Sequence, residues 1–117
     1  MQNILILGSE GFLGSVLVPH LIDYKFNITG VDECFFGENN NKNLKNFKLI
    51  KRDYNKLNKQ FFKDFDYIID LINISNDPAS ELNPEFTKTT NYYKKIKLYR
   101  KIKNINKIKK FIYMSSC

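Results

Sequence analysis

The chain has 117 residues, 43% of them hydrophobic and 15% aromatic, which suits one folded domain with a modest core and leaves no room for a second of ordinary size. Its formal charge of +7 comes mainly from Lys88 to Lys110, a stretch without one acidic residue; it lacks the interleaved aromatics of a single-strand-binding platform and reads as a solvated helix face, which argues against nucleic acid as partner. Cys34 and Cys117 belong to no CxxC pair or Cys/His cluster, so neither a zinc site nor a disulfide framework is indicated.

The opening Met1-Gln2-Asn3 carries no basic flank, and the apolar run after it is far below the roughly 20 residues that span a bilayer. A soluble cytoplasmic chain with nothing to be cleaved is the expectation. Ile4-Leu5-Ile6-Leu7, ended by Gly8, reads as a central parallel strand covered on both faces. Phe12, Leu13, Val16, Leu17, Leu21 and Ile22 recur at helical spacing and predict a helix to about Tyr24, with Pro19 kinking or loosening its last turns. His20, the only histidine, is expected to be a partly buried helix residue and not a catalyst.

Asn27 to Val31 predicts a second strand with Asp32 just past its end, and Gly37 to Asn46 has loop composition. Phe47 to Lys51 alternates as an edge strand does. Leu57, Phe61, Phe62 and Phe65 suggest a short helix or turn, and Tyr67 to Ile72 a further strand. From Pro84 a long helix is expected, with Phe86, Tyr93, Ile96, Tyr99 and Ile102 on its apolar face and the lysines opposite. Phe111 to Met114 forms a last strand running into Ser115, Ser116 and Cys117. The alternation predicts an α/β fold of about five parallel strands, right-handed crossovers and helices on both sheet faces.

Gly8, Gly11 and Gly14 fall between the first strand and the first helix, where a dinucleotide would be bound. Gly8 permits a turn that a Cβ would obstruct. Gly11 lets the backbone approach a pyrophosphate at the positive end of the helix, and Gly14 lets that helix pack closely on the sheet. Asp32 stands at the carboxyl end of the second strand, where a carboxylate accepts hydrogen bonds from the adenosine ribose and repels a 2′-phosphate, favouring NAD over NADP.

The spacing Gly8-x-x-Gly11-x-x-Gly14 resembles that of the extended short-chain dehydrogenases, and the NAD-dependent epimerase/dehydratase family is the branch it looks most like. Lys51-Arg52-Asp53-Tyr54, Ile68-Ile69-Asp70-Leu71, Ser75-Asn76-Asp77-Pro78, Asn83 to Thr87, Asn91 and Lys110 to Ser116 are similar, in order, to the family's later segments. The resemblance implies a Rossmann-type doubly wound parallel sheet, incomplete here: residues 1–117 would be the amino-terminal part of the NAD-binding domain, without the substrate-binding carboxyl-terminal region. It implies that Phe12 and Leu13 offer amides to the pyrophosphate, that Asp32 and Glu33 hold the ribose, and that Asp53 and Tyr54 border the adenine. Leu71 and Ile72 would line the cofactor's inner side, with Asn91 nearby. Ser116, or its neighbour Ser115, would be the catalytic hydroxyl.

The parent enzyme would take a nucleotide-sugar substrate, with a homodimer open to it, and no metal or membrane is implied. Ile72 and Asn73 stand where many relatives have two small residues, and would crowd the cofactor. Lys94 replaces a common glycine. The family's Tyr-x-x-x-Lys pair, whose lysine lowers the tyrosine pKa, should lie some two dozen residues past the serines, so the chain alone is expected to be catalytically incomplete. Tyr93-x-x-x-Lys97 and Tyr99-x-x-x-Lys103 are chance matches in a lysine-rich helix. Two other readings are a non-catalytic dinucleotide-sensing module and polyanion binding through residues 88–110.

Overall fold

The computed structural model describes residues 1–35, 37–72 and 84–114, with 84–92 described by their helical backbone. Strand β1 (Asn3–Leu7) leads into helix α1 (Phe12–Asp23), then β2 (Asn27–Asp32), β3 (Phe47–Lys51), the short helix α2 (Lys59–Phe62), β4 (Tyr67–Asp70), the long helix α3 (Pro84–Ile102) and β5 (Lys110–Tyr113). All four strand pairings are parallel, in the order β3-β2-β1-β4-β5. Parallel strands end together, so Leu7, Asp32, Lys51 and Asp70 share one edge of the sheet.

The continuous apolar run of β1 is explained by burial on both faces. Leu5 and Leu7 pack with Ile68, Phe62, Leu98 and Ile102, the side of α2 and α3. Ile4 and Ile6 pack with Val18, Ile28 and Ile69, the side of α1. Each such side chain, removed from water, stabilises the fold by roughly 1.5–3 kcal/mol before entropy is counted. Edge strand β3 keeps the expected alternation only from Phe47 to Leu49: Leu49 and Ile50 are both half-buried, and Lys48 and Lys51 are exposed.

Two expectations are corrected. Helix α3 buries Leu98 and Ile102, with Lys95 partly buried a turn earlier, whereas Tyr93 is 60% exposed and Tyr99 also lies outside the core. The buried stripe is thus set by aliphatic residues and one lysine. His20 is exposed rather than partly buried, on the outer side of α1. Helix α1 runs through Pro19 without interruption. Among the described residues no helix is long and apolar enough to cross a membrane.

Candidate functional site

At the end of β1 the chain turns through Gly8, which has φ +87°, a left-handed conformation that side chains rarely adopt. A Cβ there would also lie 3.1 Å from Ile72 Cγ1 and 3.2 Å from Ile72 N. Gly14 is required for a different reason: its Cβ would come within 2.7 Å of the Ser9 backbone, so α1 sits directly on the turn. Gly11 differs from both. Its φ is −79°, and the nearest atom to a Cβ would be Gly8 O at 3.7 Å, ordinary contact. Neither strain nor crowding from the protein demands glycine at 11, so what its missing side chain leaves open is the approach from outside. Gly11 begins α1 without a side-chain cap, and Phe12, 83% exposed, and Leu13 form the first turn, whose amides lack intrahelical partners and carry the helix's positive end.

Asp32 faces this corner. Its Oδ2 accepts from Glu10 N–H at 3.0 Å and its Oδ1 from Cys34 N–H at 2.7 Å, which leaves lone pairs on both oxygens for further donors. Cys34 sits at φ +62°, a conformation costly for a residue with a Cβ that the bond to Asp32 holds in place. Glu10, an acid within the glycine turn, has both oxygens engaged by the protein: its Oε1 accepts from Asn39 N–H at 3.0 Å and its Oε2 from the Ser9 hydroxyl at 3.1 Å. Asn39 Nδ2 returns a bond to Ser9 O at 3.3 Å, and Lys51 pairs with Glu38 at 2.8 Å. The loop after β2 is therefore fastened to the glycine turn. Exposed Glu33 is held above the usual carboxylate range by partial desolvation and then by the charge of Asp53.

Asp53 lies two residues past Lys51, the register partner of Asp32. Its Oδ1 caps the following turn by accepting from Asn55 N–H at 2.9 Å, and Lys94 Nζ stands 3.8 Å from its Oδ2. Tyr54 is buried, and its hydroxyl finds no hydrogen-bond partner among the described residues. Its phenol is pushed far above the ordinary 10, by burial first and then by Asp70 and Asp53. Above about pH 10 the unfolded chain ionises this phenol while the folded chain does not, so stability falls as pH rises. Tyr54→Phe should therefore unfold less steeply on going from about pH 10 to 11 than the parent. At pH 7 it should be neutral or more stable by up to about 1 kcal/mol, since an unsatisfied hydroxyl is removed. Urea melts at the two pH values measure both.

Behind the corner is a pair that the periodicity of the helix concealed. Asp70, fully buried at the end of β4, forms an ion pair with Lys95 of α3, whose side chain is 12% exposed. Asp70 Oδ1 accepts from Ile72 N–H at 3.0 Å, and Lys95 Nζ donates to Ile72 O at 3.3 Å. The ammonium also lies 5.1 Å from the Tyr54 ring centre and 5.3 Å from that of Tyr113. An acid ending the apolar strand Tyr67–Asp70 was the available signal, since a buried carboxylate needs a cation. Other lysines of the basic stretch are likewise engaged: Lys101 donates to Asn55 O and Leu57 O, and Lys107 to Asp64 O.

The structure thus brings Gly8, Gly11, Phe12, Leu13, Gly14, Asp32, Leu71 and Ile72 to one end of the sheet, with Asp53 and Glu33 beside them. Asn91 is on α3, its side chain outside the described residues, as are Ser115 and Ser116. Among the described residues no group of three or more His, Cys, Asp or Glu is placed to hold a metal ion.

Known structures share this fold. A UDP-N-acetylglucosamine 4-epimerase from Methanobrevibacter ruminantium in complex with UDP-N-acetylmuramic acid matches at 32% identity and TM-score 0.79, over 94% of this chain and 36% of its own. An epimerase from Methanothermobacter thermautotrophicus matches at 24% identity and TM-score 0.83, over 98% and 35%. The Bordetella bronchiseptica enzyme WbmF in complex with NAD+ matches at 23% and TM-score 0.78, over 96% and 35%. The last two likenesses show the fold alone, and this chain spans about a third of the length of all three. The model of the NAD dependent epimerase/dehydratase family matches residues 4–117. With its model matched from residue 4 to residue 117, the chain belongs to the NAD-dependent epimerase/dehydratase family.

Proposed function

We propose that this chain is the NAD-binding portion of a nucleotide-sugar epimerase or dehydratase. The observation that carries the reading is the pairing of an unobstructed Gly11 with an Asp32 carboxylate hydrogen-bonded to the same turn. The cradle fits a dinucleotide: a Cβ at Gly11 would project into space that the protein leaves open, while the helix end above it favours an anion.

Phe12 and Leu13 amides receive the pyrophosphate. Asp32, with Glu33 beside it, accepts from the ribose hydroxyls, and its charge disfavours a 2′-phosphate. Asp53 borders the adenine with Tyr54 beneath it. Leu71 and Ile72 form the inner wall and exclude water, with Asn91 near them. Ser116, with Ser115 adjacent, hydrogen-bonds the sugar hydroxyl that is oxidised. When bound, NAD would supply reversible hydride-acceptor chemistry. The sugar nucleotide as substrate is supported by the family and by the UDP-sugar epimerase among the similar structures.

Titration of the chain with NADH, followed by nicotinamide fluorescence, tests the binding claim. Gly11→Val should abolish binding without unfolding the chain, and Asp32→Ala should weaken it roughly tenfold, the worth of a charge-assisted bond, with a smaller preference for NADH over NADPH. Absence of binding by the parent chain, or equal binding by Gly11→Val, overturns the reading.

A further inference from the structure

Ile72 is held on both its polar groups by one buried device. Its N–H donates to Asp70 Oδ1, its carbonyl accepts from Lys95 Nζ, and the ammonium and the carboxylate close the ring by pairing with each other. Beyond this ring Ile72 abuts Gly8, 3.1 Å from where a Cβ would be. The other side of that turn is fixed by Gly8 N–H donating to Val31 O at 2.7 Å. The β4 end is tied further into the sheet, with Leu71 N–H donating to Leu7 O at 2.8 Å and Met114 N–H to Asp70 O at 3.0 Å. Ile72 also packs against the core cluster on the α3 side of the sheet, from which Lys95 reaches its carbonyl.

We propose that Asp70 and Lys95 are positioning residues for the dinucleotide: a charged strut from α3 that sets Ile72 against Gly8 and so fixes the turn that receives the pyrophosphate. The pair carries no net charge toward the ligand, so its contribution is geometric. A purely structural pair would serve equally well if replaced by apolar side chains of similar volume, which often leaves stability intact. A positioning pair would not, because the bonds to Ile72 disappear even though the core stays filled. The inference rests on the proposed dinucleotide site, and the test separates the two.

The double variant Asp70→Leu/Lys95→Met and the single variant Lys95→Arg are compared with the parent by NADH titration and by residue-resolved amide exchange. In the double variant, NADH binding should weaken roughly tenfold, as expected for lost polar anchoring. Exchange at Ile72 and Gly8 should accelerate by a similar factor, while the β1 amides remain protected. Lys95→Arg keeps a charged donor and should recover most of both effects. Should the parent not bind NADH, the functional reading fails, yet the exchange arm still reports on the strut. A double variant with unchanged exchange at Ile72 and Gly8, or with faster exchange but unaltered NADH affinity, overturns the positioning role.

Discussion

Gly30→Ala should destabilise the chain by about 3 kcal/mol, at the upper end of the usual penalty for overpacking, and Ser9→Gly should restore most of the loss. The expectation follows from where Ser9 goes. Its side chain is completely buried, and a Cβ on Gly30 would lie 2.6 Å from Ser9 Cβ and 2.9 Å from Phe47 Cζ. Gly30 cannot retreat, because it is paired to Ile6 on one side and to Leu49 on the other. Ser9→Ala should not rescue, since it keeps the Cβ that clashes. Gly14→Ala meets the backbone of Ser9 and so has no such rescue; the absence of any difference between the two positions in urea unfolding would refute this account. Gly11→Ala, with its nearest neighbour 3.7 Å away, should change stability by less than about 1 kcal/mol. Three glycines of one motif and one of the neighbouring strand thus separate by cause: a positive φ, backbone contact, side-chain contact and open space.

The order and direction of the strands were legible because their causes are local. A continuous apolar run in Ile4 to Leu7 marks a strand covered twice, and alternation from Phe47 to Leu49 marks an edge. The glycine turn and Asp32 were legible for a related reason, since parallel register carries the ends of neighbouring strands to the same place. What escaped were choices made across the fold. Tyr93 and Ile96 match a helical stripe as well as Lys95 and Leu98 do, and the partner that Lys95 meets, the carboxylate of Asp70, lies 25 residues earlier. Glu10 gave no local sign that it would reach Asn39. Such pairings depend on sequence separation that no short window samples.

Lys95→Met should be the most damaging single change at a charged residue, costing about 3–5 kcal/mol, because it strands the buried carboxylate of Asp70 without a cation. Replacing a buried ion pair by well-packed apolar side chains is often neutral or stabilising. Burial holds Lys95 below the ordinary lysine range, and Asp70 opposes this only in part; the charged ammonium is therefore costlier in the folded chain than in the unfolded one. Removing both charges should accordingly be far milder than removing one. Asp70→Leu/Lys95→Met should lie within about 2 kcal/mol of the parent, and the non-additivity measured by the double-mutant cycle should exceed about 2 kcal/mol. Thermal or urea unfolding of the parent, the two single variants and the double variant at pH 7 reads this directly. Additive losses would mean that the two groups do not interact in the folded chain. If instead the double variant is stable while Lys95→Met is not, α3 needs no charge to stay docked, and the bonds that the pair makes to Ile72 are what the exchange of the double variant then reads.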